Sequence, residues 1–143
     1  MHPEQHGSYR LWQHDNVLYA ELVDTWNDIA AANFSRDFKA LASEINGDWG
    51  HMVYLDNWDL CSPEMFAIIK ELVDWCISHG LKRAANVYAP SAMKKEFLGR
   101  MIVEEQGEFK RAHFDCEEKA VTWLRHEGFN ATADLFKRSK AAH

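Results

Sequence analysis

A chain of 143 residues, 47% hydrophobic and 27% charged, suits one domain around a single core and excludes both a disordered segment and a membrane-embedded protein. The net charge of -6 is uneven, with ten acids against three Lys or Arg in residues 1–60 and twelve against thirteen in residues 61–143. Such a balance does not attract a phosphate backbone, so nucleic acid is excluded as the main partner.

No apolar run approaches the roughly 18 to 20 residues that span a bilayer, and the opening MHPEQHGSYR has no signal-peptide core, so no transmembrane segment is expected and the cytoplasm is the expected location. Cys61, Cys76 and Cys116 are odd in number and widely spaced. They fit reduced thiols rather than a disulfide framework or zinc ribbon.

Residues 1–7 read as a flexible tail. Ser8 to His14 and Val17 to Val23 are rich in β-branched and aromatic residues, and Asp15-Asn16 between them suits a tight turn, giving a hairpin. From Asp28 to Ile45 the apolar positions Phe34, Phe38, Leu41 and Ile45 recur at helical spacing, with Asn27 as cap and Asn46-Gly47 as stop. His51 to Asp56 (HMVYLD) lacks a solvent face, as a central parallel strand does. Pro63 to His79 then reads as a helix with Met65, Ile68, Ile69, Leu72 and Cys76 inward, closed by Gly80.

The strand-helix cycle repeats. Arg83 to Ala89 is a strand, Ser91 caps a helix through Val103, and Glu108 to Phe114 is the last strand. Asp115-Cys116-Glu117-Glu118 resembles a capping box opening a helix that carries Val121 and Leu124 and ends at Gly128. Residues 129–143 read as a C-terminal tail with a short helix. The order predicts one α/β domain over residues 8–128, a mixed sheet with about four packed helices.

Loops leaving the carboxyl ends of parallel strands share one edge, the default site of an open α/β sheet. Here that edge collects Asp56, Asn57, Trp58, Asp59, Cys61 and Ser62, then Ser91 and Lys94, then Asp115. Ser62 precedes Pro63, which suits an N-cap, and the same hydroxyl can also take a phosphate. Nucleophilic catalysis at Cys61 or Ser62 needs a base held against it, and the Gly-x-Ser-x-Gly elbow is absent, so no enzyme is expected. The eight histidines show no ligand spacing, and neither a metal nor another cofactor is expected. Trp26 and Trp58 fall in predicted connecting loops, where they would line an apolar pocket for a small molecule or lipid. Lys110-Arg111 reads as part of a solvated charged face.

Three stretches, VDTWNDIAAANF, MVYLDNWDLCSPEMFAIIKELVDWC and HFDCEEKAVTWL, give the chain a pattern that resembles the STAS superfamily, and within it the bacterial SpoIIAA-like proteins described as similar to the sporulation anti-sigma-factor antagonist. The resemblance implies a non-enzymatic regulatory module with a protein partner, with small-molecule or lipid binding as the alternative; separately, the apolar helical faces make a homodimer a further expectation. In phosphorylated members an acid followed by Ser-Ser-Gly carries the switch; here the matching stretch is Asp59-Leu60-Cys61-Ser62-Pro63, so Ser62 alone matches and the acid is displaced.

Overall fold

The structure, a computed structural model, describes residues 4–61, 65–89 and 105–133. Strand β1 (Ser8–His14) pairs antiparallel with β2 (Val17–Trp26) in a register that runs from His14 opposite Val17 to Ser8 opposite Val23. Asp15, at a φ of 55°, turns the chain between them. Asn27 then caps helix α1 (Asp28–Ala42), its Oδ1 accepting from the Ala30 amide at 3.0 Å. There follow β3 (Trp49–Tyr54), β4 (Trp58–Cys61), helix α2 (Phe66–Ser78), β5 (Leu81–Val87), β6 (Glu105–Gln106), β7 (Phe109–Phe114) and helix α3 (Glu117–His126).

The seven strands lie in the order β1-β2-β3-β5-β7-β6, with β4 paired to β2 beside that path. Strands β2, β3, β5 and β7 are mutually parallel; β1 and the two-residue β6 close the edges antiparallel. Side chains alternate across a strand. On β2, Leu18 and Ala20 therefore enter the core under α1 and α2, while Val17 and Tyr19 enter the core under α3. Each of these four is wholly buried, which is why β2 and β3 carry no polar stripe of the kind that marks a half-exposed strand. Fully buried Trp49, Trp58 and Phe109 anchor the first core, and Leu124 and Met52 the second. Burying a side chain of this size stabilises by roughly 1.5 to 3 kcal/mol.

Helix α1 presents Ala30, Ala31, Phe34, Phe38 and Ala42 inward, and Lys39 reaches Glu71 of α2 at 2.8 Å, joining the two helices on one face. On the other face Arg83 of β5 bonds Glu127, just past α3, at 2.6 Å. No helix among the described residues is long and apolar enough to cross a membrane.

Several expected boundaries move. Strand β2 runs on to Trp26 instead of ending at Val23, and α1 ends at Ala42 instead of Ile45, where Ser43 donates its backbone N–H and its hydroxyl to the Lys39 carbonyl. Strand β3 starts at Trp49 rather than His51, because Gly50 continues the strand: a Cβ there would lie 3.1 Å from the Phe129 ring. Strand β5 occupies Leu81–Val87, two residues before its expected span. The described residues hold three helices rather than about four; the helix expected from Ser91 to Val103 lies outside them, as does any helix after residue 133.

Candidate functional site

The carboxyl ends of β3, β5 and β7 are stitched together by the chain that leaves them. The Leu55 amide donates to the Val87 carbonyl at 2.9 Å, and the Tyr88 amide donates to Phe114 at 3.0 Å. The Asp56 carboxylate accepts from the Ala89 amide at 2.6 Å, tying the exit of β3 to that of β5. Asn57 accepts from the Asp24 amide at 2.9 Å through its carbonyl, where Asp24 takes a φ of 64° and the register of β2 shifts. There β2 passes from β3, its neighbour as far as Glu21, to β4.

Of the residues expected on this edge, Asp56, Asn57, Asp59 and Asp115 are exposed. Asp115 does not cap α3: the N-cap is Cys116, which makes no side-chain capping bond, and the Asp115 carboxylate instead pairs with Lys119 one turn along at 3.0 Å. That ammonium holds the Asp115 carboxyl below its ordinary range. Tyr54, the last residue of β3, donates its hydroxyl to the Glu117 carboxylate and so fixes the start of α3 against the sheet. Cys61 closes β4; its side chain, together with Ser62, Ser91 and Lys94, lies outside the described residues.

Trp26 and Trp58 are not loop residues. Trp26 ends β2 and Trp58 opens β4, both are at least 98% buried, and their rings meet edge to face at 5.6 Å. Trp26 donates its Nε1–H to the Ser8 carbonyl at 3.1 Å and packs on Phe34, as a core residue does.

Trp58 nevertheless helps to line a cavity of about 80 Å³ between the sheet and helices α1 and α2. Phe34 and Phe38 come from α1, and Leu72 and Cys76 from α2. Burial pushes the Cys76 thiol up to about 12, so it stays protonated and serves as an apolar wall. The sheet contributes three polar residues that sequence reasoning missed: His51, Asn86 and Arg111. His51 is 7% exposed and Asn86 1%. Nδ1–H of His51 donates to the Leu18 carbonyl at 2.8 Å, and burial, reinforced by the Arg111 charge, pushes the imidazole down to about 3. Nη1 of Arg111 donates to Oδ1 of Asn86 at 2.9 Å, while its guanidinium lies 5.4 Å from the Phe109 ring centre. Arg111 is thus half-buried and engaged with its neighbours, not part of a solvated face. The available signal was periodic: Asn86 falls at the same parity as buried Ala84 and Tyr88, and Arg111 at that of Phe109.

Among the described residues no three His, Cys, Asp or Glu side chains gather as metal ligands.

No family model matches the chain, and no curated protein matches it closely. Solved structures do. An uncharacterised protein of the DUF3478 family with a SpoIIAA-like fold, from Shewanella loihica PV-4, superimposes with a TM-score of 0.58 at 11% identity, covering 87% of this chain and 98% of that one. The anti-sigma factor antagonist SpoIIAA in its unphosphorylated form superimposes with a TM-score of 0.54 at 11% identity, covering 85% and 99%. The superpositions extend over nearly the whole length of those chains: this protein has a SpoIIAA-like fold.

Proposed function

We propose that the chain is a non-enzymatic regulatory module that meets a protein partner along the carboxyl edge of its sheet. The observation that carries this is the edge itself: exposed Asp56 and Asn57 from the turn after β3, Asp59 from β4 and Asp115 from the connection after β7 sit where hydrogen bonds hold the strand exits to one platform. Its likeness in fold to a protein described as an anti-sigma factor antagonist supports the same reading. The exposed carboxylates match a partner that offers Lys or Arg, and complementary charge speeds and selects such encounters. Ser62, three residues beyond Asp59 in the sequence, is the hydroxyl this reading offers for phosphorylation.

Capture from the native cytosol tests it. The wild-type chain retains a discrete partner that salt weakens, and the double variant Asp59→Lys, Asp115→Lys loses it at least tenfold. Recovery of abundant chaperones alone, or equal capture by the variant, contradicts the reading.

The cavity beneath α1 and α2 favours a second role, binding of a small apolar molecule, since such sites are concave, mostly apolar and carry a few convergent polar groups.

A further inference from the structure

The polar groups of the cavity stand in register on one face of the sheet. His51 of β3 is opposite Ala84 of β5, which is opposite Arg111 of β7; Asn86 lies one step on, opposite Val53. His51 and Asn86 are therefore diagonal neighbours on adjacent strands and line the same cavity.

Their hydrogen bonds define what such a group must be. Because His51 donates through Nδ1, the neutral ring carries a lone pair at Nε2, which has no hydrogen-bond partner among the described residues. Because Oδ1 of Asn86 is taken by Arg111, the other end of the amide is Nδ2, a donor that likewise has no acceptor among the described residues. One acceptor and one donor, on residues that are themselves buried, thus face a space lined also by Phe34, Phe38, Trp58, Leu72 and the cationic Arg111. Buried polar atoms are ordinarily paired.

We propose that this cavity binds a small, neutral, hydroxyl-bearing apolar molecule whose O–H donates to Nε2 of His51 and whose oxygen accepts from Nδ2 of Asn86. The inference rests on the small-molecule reading above and names its ligand class. A hydroxyl both donates and accepts, as this pair requires. A carboxylate, although the Arg111 charge favours it, only accepts and so has no proton for the His51 lone pair; a hydrocarbon would leave both atoms unpaired. The volume of about 80 Å³ is several times the roughly 10–15 Å³ that one water needs, enough for a single ring or branched chain.

Titration of the full chain with phenol, toluene and benzoate, followed by calorimetry and by the ¹⁵N resonances of His51, tests it. Phenol binds saturably and at least tenfold more tightly than either of the others, and it moves the Nε2 resonance while Nδ1 holds. His51→Phe abolishes the preference for phenol over toluene; if that variant does not fold, the wild-type resonances decide. Toluene or benzoate binding as tightly as phenol, or an unmoved Nε2 signal, overturns the hydroxyl inference and leaves the small-molecule role standing. Binding of none of the three overturns both.

Discussion

Burial lowers the His51 imidazole from an ordinary 6.5 to about 3, and that shift makes stability depend on pH. The unfolded chain takes up a proton at this residue as pH falls below about 6.5, whereas the folded ring refuses it until about 3. The stabilisation is therefore complete above that upper value and is lost on acidification through the window, at up to about 1.4 kcal/mol per pH unit. The groups that share the cavity with the ring sharpen the effect: Arg111 from β7 is cationic, Cys76 from α2 stays neutral, and Phe38 from α1 packs edge-on at 5.0 Å. Urea melts between pH 6.5 and 5, above the range in which paired carboxylates such as Asp37, Glu108 and Glu127 titrate, should show a falling midpoint in the wild type. The variant His51→Gln should show a flatter one; equal slopes would refute this account of the residue.

The elements most legible in the sequence were those with strong local signals. The Asp15-Asn16 turn, the Asn27 cap and the glycines after the helices required no tertiary information: Gly80 takes a φ of 102° and Gly128 one of 100°, values glycine adopts freely. Strand β4 was illegible because Trp58–Cys61 is four residues long, contains Asp59, and forms only where β2 exchanges partners at Asp24. Long-range pairing, not local propensity, makes that segment a strand. The cap also has a tertiary role: Asn27 Oδ1 accepts from the His6 amide at 3.1 Å, and its Nδ2 donates to the Glu4 carbonyl at 2.9 Å. Asn27→Ala should therefore cost about 1 to 2 kcal/mol, the upper part of the range for a cap, read as a drop in the urea midpoint with an unchanged m-value. A loss within error would show that neither the helix nor residues 4–7 depend on it.

At the scale of the whole molecule, alternation of apolar strands with amphipathic helices was enough to predict a mixed α/β sheet, and the parallel order of β2, β3, β5 and β7 brings their exit loops to one edge. The contents of the site were less legible. The same run that marked β3 as apolar concealed His51 as a buried polar residue, and Trp26 and Trp58, which looked like loop aromatics, are core anchors. Periodicity shows which face a residue shares; only packing shows whether its polar atoms find partners there.

The most direct test of partner binding along this edge is site-specific photo-crosslinking in an extract of the native cells. A probe is placed at exposed Asn57 on the carboxyl edge, with a control at exposed Asn46, in the turn between α1 and β3 at the other end of the strands. We expect a single discrete adduct from position 57, suppressed by excess unlabelled chain and absent from position 46. Equal labelling from both positions, or none from 57, would contradict it.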